Sequence, residues 1–168
     1  MTGRGTRALE AVRAAGVAHV VHEYEAPGPA SPRERARRPR YGLDAAAALG
    51  VDPARVYKTL VASVDGRLTA AVVPVALELD LKALATVLGG RRAALAEPGE
   101  AERATGYVVG GISPLGQRRA LPIVVDASAE ALATIHVSGG RRGLQLELAP
   151  GDLVRLTGAL VASIARPA

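Results

Sequence analysis

The sequence predicts an α/β fold: a single compact domain over residues 1–168, with a mixed, mostly antiparallel, barrel-like sheet surrounded by short helices. The chain has 168 residues, of which 49% are apolar and 22% charged, and this suits one domain with its own core. Segments with strand alternation and segments with helical spacing interleave irregularly, which disfavours a doubly wound parallel sheet. A mixed sheet that curls toward a barrel therefore fits the pattern best.

Several segments of the N-terminal half have clear local signals. Leu9 and Val12 have helical spacing, and Gly16 ends that helix because glycine accepts the left-handed conformation of a C-cap. The dipeptide Asp65-Gly66 lies between two β-rich runs, which is typical of a tight hairpin. The predicted elements are a helix over 6–15, a strand over 17–24, a mobile surface loop over 25–40, a helix over 44–49, and hairpin strands over 56–64 and 68–75.

The C-terminal half alternates between helical and strand patterns. One helix is predicted over 79–88, because Asp80 stands near its start and Gly89 follows its end. No internal repeat is visible. The other predicted elements are a helix over 99–105, strands over 122–126, 134–137 and 144–148, one or two helical turns over 152–157, and a final strand over 160–164.

Composition excludes several classes of chemistry. The chain has no cysteine, so disulfides, thiolate metal sites and a cysteine nucleophile are excluded, and any thiol chemistry must come from a substrate. Residues 1–16 lack the apolar run of a secretory signal, and no stretch approaches the length of a membrane span. We therefore expect a cytoplasmic protein with no membrane partner.

The charge of the chain favours a polyanionic partner. Its net charge is +5 with a pI of about 10.2, although abundant arginine alone gives the same balance. Proteins that hold single strands generally stack bases on aromatic rings, and this chain has only four such rings. Docking through phosphate groups therefore fits better than base stacking. The four rings are Tyr24, Tyr41, Tyr57 and Tyr107.

A glycine-rich segment over residues 105–117 is the most informative part of the chain. It contains four glycines and Pro114 but no charged side chain, which favours a pocket lined by backbone over a flexible linker. The N–H groups of Gly110 and Gly111 are candidate catalytic donors of an oxyanion hole, and the alternative is a tight turn packed on a strand. Ser113 is a poor candidate nucleophile, because no suitable histidine lies near it in sequence.

Lys58 is the candidate catalytic cation. Lys58 and Lys82 are the only lysines among 21 cationic side chains, and a retained lysine hints at a place that needs a compact ammonium. By strand alternation Lys58 shares a face with Val56 and Leu60, which points inward if the sheet is half buried. The alternative is an edge-strand lysine that reaches solvent. Lys82 is expected on the solvated face of a helix.

A second glycine-rich turn lies between two predicted strands over residues 138–143. Gly139 and its glycine neighbours permit an anion-binding nest, Ser138 adds a hydroxyl, and Arg141 and Arg142 are candidate contacts for phosphate. The alternative is a hairpin with solvent-facing arginines. No metal is expected, because the three histidines lack the spacing of a metal triad. They are His19, His22 and His136.

Three segments, in this order and at comparable spacing, resemble the YbaK/EbsC family of aminoacyl-tRNA deacylases. They are Tyr57-Lys58-Thr59-Leu60, the segment over 105–117 and the segment over 137–144. The similarity extends over nearly the whole chain, and it implies a compact α/β domain around a mixed, barrel-like sheet. It also implies removal of cysteine from mischarged tRNA(Pro), with Cys-tRNA(Cys) as a further candidate substrate. Aminoacyl-tRNA and a prolyl- or cysteinyl-tRNA synthetase are the implied partners, and no cofactor is implied.

The resemblance also assigns site residues. Lys58 and Thr59 match the active-site lysine of the family and the threonine after it, and Gly110 matches a pocket glycine. Tyr24 matches a pocket tyrosine. The remaining positions depart from the family, because Tyr41 stands where phenylalanine is common, and Gln145 stands where a well-known bacterial member has aspartate. Gln145 keeps a hydrogen-bonding carbonyl but lacks the charge of that carboxylate.

The resemblance implies a mechanism in which the thiol of the substrate attacks its own ester. Such attack gains from high effective concentration, so the protein supplies no nucleophile. Two alternatives stay open. One is a deacylase for another mischarged tRNA, such as Ala-tRNA(Pro), and the other is a noncatalytic module that binds tRNA or a synthetase. The five arginines of the 25–40 segment are candidate tRNA contacts, against a loop that is simply solvated.

Overall fold

The computed structural model describes residues 5–26 and 41–168, in which five α-helices and ten strands are found. The helices are α1 (Arg7–Ala15), α2 (Tyr41–Leu49), α3 (Leu81–Val87), α4 (Pro98–Thr105) and α5 (Pro150–Thr157). The strands are β1 (His19–Glu23), β2 (Tyr57–Val64), β3 (Arg67–Pro74), β4 (Leu77–Leu79), β5 (Ala93–Leu95), β6 (Ile123–Asp126), β7 (Ile135–Ser138), β8 (Leu144–Leu148), β9 (Leu160–Ala162) and β10 (Ala165–Pro167).

The strands form three sheets. The largest has the order β5-β2-β3-β6-β9, the second has the order β1-β8-β7, and β4 pairs with β10 in a two-stranded ribbon. The pairings β3–β6 and β6–β9 are parallel, and the other strand pairs are antiparallel. The prediction of an α/β fold with a mixed sheet is confirmed. Its barrel-like part is not, because no closed barrel is found among the described strands.

The hairpin between β2 and β3 is confirmed, with Val64 opposite Arg67 and a two-residue turn between them. Asp65 has φ 49° and Gly66 has φ 83°, as a tight hairpin turn requires at both of its central residues. The Asp65 carboxylate accepts hydrogen bonds from the backbone N–H groups of Arg91 and Arg92, at 2.9 Å each. Because these bonds hold the segment that leads into β5, the turn also fixes where β5 begins.

Strand β2 lies between two cores. Tyr57 and Val61 belong to the main core, whereas Ala62 and Val64 belong to a second core beneath α3. The premise that this sheet is half buried is therefore wrong, since both faces of β2 are covered.

Two predicted elements differ from the structure. The helix predicted over 79–88 is found as α3, but it begins later, because Leu79 belongs to β4 and pairs with Ala165. Asp80 caps the helix by accepting from the Ala83 N–H at 3.0 Å. Of the strand predicted over 160–164, residues 160–162 form β9, whereas β5 and β10 were not predicted. In the predicted loop over 25–40, residues 27–40 lie outside the described part of the chain, as do all five of its arginines.

Buried Asp126 positions the last strand. Its Oδ1 accepts from the backbone N–H groups of Ile164, at 2.9 Å, and Ala165, at 3.0 Å. Its Oδ2 accepts from the Ser128 hydroxyl at 2.5 Å. An acceptor at the end of β6 thus satisfies the backbone where β9 gives way to β10. This places β10 beside β4, where the ribbon forms one wall of the site described below.

Candidate active site

A cavity of about 540 Å³ opens beside the edge of β2. On one side β2 pairs with β3 along its whole length, but on the other side β5 pairs only with residues 62–64. The Ala96 N–H continues this pairing by donating to the Val61 carbonyl at 2.9 Å, and a single bridge joins Val56 to His136. Between these contacts no described strand covers residues 57–60, and this stretch of β2 lines the cavity.

The open edge presents different groups in alternation. The Val75 N–H donates to the Val56 carbonyl at 2.9 Å, so alternate residues from Val56 onward direct their backbone groups toward β3. The backbone groups of Thr59 then point toward the open side. Side chains alternate as well, which places Lys58 and Thr59 on opposite faces of β2. Lys58 is half-buried and Thr59 is buried, and both line the cavity.

One part of the cavity surface, the neutral wall, consists of polar residues without charge. Ser138 and Gln145 are paired across β7 and β8, and the Tyr24 N–H donates to the Gly143 carbonyl at 3.0 Å. Thr59 Oγ1 and Gln145 Oε1 are buried and have no hydrogen-bond partner among the described residues. The neutral wall therefore carries hydrogen-bonding capacity that the described residues do not use. Its members are Tyr24, Thr59, Ser138 and Gln145.

A second part, the charged wall, consists of Lys58, Glu78 and Arg166. Glu78 lies on β4 and Arg166 on β10, and Arg166 Nη2 is 3.7 Å from Glu78 Oε2. Neither residue is predicted from the sequence, because strands of three residues are too short to show alternation. The Leu77-Glu78-Leu79 pattern before Asp80 was the one local signal for Glu78.

The glycine turn closes the cavity from another direction. Gly110 lines the cavity with φ 96°, a left-handed conformation that favours glycine. Gly111 does not line it, and its N–H donates to the Val108 carbonyl at 2.8 Å. This bond takes up the donor that sequence analysis assigned to the oxyanion hole, so that assignment fits Gly110 alone. Ser113 is fully buried, and its Oγ accepts from the Leu115 N–H at 3.2 Å.

The turn between β7 and β8 supports the cavity from outside. Gly139, Arg141 and Arg142 are not among the residues that line it, and Arg141 Nη2 is 3.9 Å from Glu23 Oε1. The backbone of Arg141 packs directly against Gly111. Contact between Arg141 or Arg142 and tRNA phosphate therefore stays a prediction about the outer surface. Tyr41 begins α2, and its side chain lies outside the described part of the chain.

Two histidines that seemed unrelated in sequence meet beside the neutral wall. His22 Nε2 is 2.8 Å from Glu147 Oε1, His136 Nε2 is 3.9 Å from the same oxygen, and the two rings are 5.1 Å apart. Glu147 Oε2 accepts from Thr134 at 2.5 Å and from Arg55 at 3.3 Å. With both carboxylate oxygens engaged by protein donors, the cluster is an ion-pair network. It ties β1, β7 and β8 together behind Gln145.

This network predicts a loss of stability in acid. Hydrogen bonds from Thr134 and His22 lower the pKa of Glu147 from 4.5 to about 2, and burial lowers the pKa of His136 below its ordinary 6.5. Each group takes up a proton more readily in the unfolded state, so stability is full above about pH 6.5 and is lost as the pH falls. Wild type loses part of its stability between about pH 4.5 and 2, as Glu147 takes up a proton. We expect Glu147→Gln to lack this part at every pH.

Urea unfolding at pH 7, 5.5, 4 and 3 measures this effect. At pH 7, Glu147→Gln should lower the unfolding free energy by about 2 kcal/mol, the scale of a hydrogen bond to a charged group. Exposed Glu130 provides the control, and Glu130→Gln should keep the profile of wild type. The assignment is wrong if Glu147→Gln and wild type lose the same stability between pH 4 and pH 3.

The fold and the cavity define the class of the protein. The family of the aminoacyl-tRNA editing domain matches residues 42–156. EbsC of Enterococcus faecalis, which carries the provisional name Cys-tRNA(Pro)/Cys-tRNA(Cys) deacylase, is 38% identical over 121 residues, covering 71% of this chain and 73% of EbsC. The chain belongs to the aminoacyl-tRNA editing domain family. The resemblance drawn from the three sequence segments is thereby confirmed.

Other relatives agree with this assignment. A proline–tRNA ligase of Moorella thermoacetica is 36% identical over 98 residues, which cover 58% of this chain and 17% of the ligase. A crystal structure provisionally described as a trans-editing enzyme for prolyl tRNA synthetase has a TM-score of 0.78 at 26% identity, with 95% of each chain covered. The crystal structure of hypothetical protein APE2540 has a TM-score of 0.82 at 28% identity, covering 96% of this chain and 100% of that one.

Proposed function

We propose that this chain is an aminoacyl-tRNA deacylase that acts in trans, with Cys-tRNA(Pro) as its substrate and Cys-tRNA(Cys) as a further one. The observation that carries the proposal is a single cavity lined by Lys58, Thr59 and Gly110. The names of EbsC and of the trans-editing enzyme support the same activity. We further propose that residues 1–168 act as one domain in the cytoplasm, with a prolyl- or cysteinyl-tRNA synthetase as partner.

The surface of the cavity suits an ester with a phosphate-bearing leaving group. The Lys58 ammonium attracts the 3′ end of the tRNA and polarises the ester, and Arg166 adds a second cation. The Gly110 N–H donates to the carbonyl oxygen as negative charge develops on it.

None of the helices in the described residues has the length and apolar character needed to cross a membrane.

The proposed reaction needs no nucleophile from the protein. The thiolate of the bound cysteine attacks its own carbonyl carbon, the ester C–O bond breaks, and the 3′ oxygen of the tRNA leaves and takes a proton. The products are free tRNA and a cysteine thiolactone. The thiol and carbonyl already belong to one molecule, so the role of the cavity is to hold them close and to stabilise the oxyanion. This chemistry also explains how cysteine is removed and proline is not. The two amino acids are similar in size, and a pocket rejects a molecule of similar size only weakly, but only cysteine carries a thiol.

A panel of esters on one tRNA tests this function. Cysteinyl-, alanyl- and seryl-tRNA(Pro) are incubated with the protein, with and without prolyl-tRNA synthetase. We expect selective loss of the cysteinyl ester, and alanine is the matched control because it lacks only the sulfur. The chain has no cysteine, so a thiolactone detected by mass spectrometry comes from the substrate.

The other outcomes of the panel select the alternatives. Equal cleavage of the cysteinyl and alanyl esters would show that water is the nucleophile, as in a deacylase for Ala-tRNA(Pro). Tight binding of tRNA without cleavage above background would show a noncatalytic module. Either result would overturn the proposed thiol-assisted mechanism.

A further inference from the structure

Two buried atoms of the cavity have no hydrogen-bond partner in the described protein. Thr59 is 9% exposed and Gln145 is 6% exposed, and the atoms concerned are Thr59 Oγ1 and Gln145 Oε1. Buried polar atoms are nearly always paired, because an unpaired one loses its hydrogen bonds to water without replacement. Because both residues line the cavity, a bound ligand is the natural source of the missing partners.

The chemistry of these atoms narrows the type of ligand. A glutamine Oε1 only accepts hydrogen bonds, so its partner must be a donor. The end of an aminoacyl ester that enters the cavity has one strong cationic donor, the α-ammonium, which carries three N–H groups. The ester and carbonyl oxygens only accept. An α-ammonium is therefore the group on such a substrate that satisfies Gln145 Oε1 with a charge-assisted bond.

The distribution of charge favours the same orientation. The neutral wall has no cationic side chain, whereas the charged wall contains Lys58 and Arg166 and repels an ammonium. Glu78, the anion of the charged wall, lies within 3.7 Å of the Arg166 guanidinium, which compensates its charge. Arg55, the cation behind the neutral wall, is bound to Glu147. An ammonium thus meets the least repulsion beside Gln145.

We propose that Gln145 binds the α-ammonium of the esterified amino acid through Oε1, and that the site accepts esters with a free α-amino group and rejects N-acylated esters. The inference rests on the proposed function and adds a requirement on the substrate. The ester must have a free α-amino group, which excludes peptidyl-tRNA and its analogues. An acyl group removes the charge and two of the three donors. The acyl group also adds bulk beside Gln145, which is only 6% exposed.

The test compares cysteinyl-tRNA(Pro) with N-acetyl-cysteinyl-tRNA(Pro). Both esters keep the thiol, so any thiol-assisted step remains available to both. For wild type, Gln145→Met and Gln145→Glu, kcat/KM is measured with both esters. The ratio compared is kcat/KM for cysteinyl-tRNA(Pro) divided by kcat/KM for N-acetyl-cysteinyl-tRNA(Pro). The intrinsic reactivities of the two esters differ, but this difference cancels when the ratio is compared between variants. Gln145→Met keeps the length of the side chain and removes the acceptor, whereas Gln145→Glu keeps an acceptor and adds charge.

We expect Gln145→Met to lower the ratio by about 10-fold, mainly through KM, which is the scale of one charge-assisted hydrogen bond. Gln145→Glu should raise the ratio by about 10-fold, because an ion pair replaces an ion–dipole contact. Gln117 is the matched control, since its Oε1 is also buried without a partner but does not line the cavity. Gln117→Met should leave the ratio unchanged.

Three results would overturn the inference. The ratio is the same in wild type and Gln145→Met, or Gln145→Glu lowers it, or Glu78→Gln lowers it while Gln145→Met does not. If Gln145→Met fails to fold in a thermal scan, Gln145→Glu decides. Failure of the proposed function looks different, because wild type then cleaves neither ester.

Discussion

Replacing Lys58 by alanine is expected to lower the single-turnover rate of Cys-tRNA(Pro) deacylation by at least about 100-fold. Removing one preorganised group that stabilises developing charge typically costs this much. Lys58 is the side chain of the open edge of β2 that carries charge, and it lines the cavity together with Gly110. Lys58→Arg should recover only part of the rate, because a planar fork does not reproduce a compact ammonium in a confined place.

Lys82 provides the matched control, since it is the other lysine of the chain and is exposed on α3. Lys82→Ala should deacylate at the rate of wild type. Both variants should unfold within a few degrees of wild type, because neither lysine belongs to a hydrophobic core. Single-turnover activity retained in Lys58→Ala would contradict the proposed role of this residue.

The second large effect is expected from Gly111→Ala. A Cβ at this position would lie 2.7 Å from the Cα of Arg141 and 3.1 Å from the backbone N of Arg142. These are backbone atoms, so the clash is relieved only if the glycine turn or the β7–β8 turn moves. We expect a loss of about 2 kcal/mol in the unfolding free energy, as is typical of overpacking. The deacylation rate should fall about 100-fold, since a shift of about 1 Å in a catalytic group has that effect.

Gly151→Ala is the control for this substitution. Gly151 lies in the first turn of α5, and a Cβ there meets no atom within 4 Å. Gly151→Ala should deacylate at the rate of wild type, and its stability should equal or slightly exceed that of wild type. The close packing of Gly111 has no functional importance if Gly111→Ala deacylates at the rate of Gly151→Ala. Chemical denaturation and single-turnover assays on both variants distinguish these outcomes.

Local chemistry explains which parts of the fold were predictable. The β2–β3 hairpin follows from Asp65 and Gly66, whose left-handed conformations belong to the turn itself. The helix near the N-terminus follows from its own cap, because Thr6 accepts from the Leu9 N–H and Gly16 ends it with φ 68°. By contrast, β4, β5 and β10 have three residues each, and their partners decide their conformation. No period of alternation can appear in so short a segment.

The same distinction applies to the candidate site. Lys58, Thr59, Gly110, Ser138, Gln145 and Tyr24 were all selected from sequence, and the structure places them around one cavity. Their catalytic and binding roles remain predictions for the experiments above. Glu78 and Arg166 were not selected, because they meet only when β4 and β10 pair. The hydrogen bond that occupies the Gly111 N–H depends on the conformation of the turn, which two adjacent glycines do not specify.

By itself the sequence determined the α/β class, the hairpin, the family and six of the residues that line the cavity. Only the tertiary structure decided that β2 is buried on both faces, that its open edge forms the cavity, and that His22, His136 and Glu147 meet. The physical reason is how far apart in sequence the interacting residues lie. Turns, caps and alternation depend on neighbours within a few residues, whereas the Glu147 network joins positions that are 125 residues apart. Contacts of that kind form only when the cores pack the strands together.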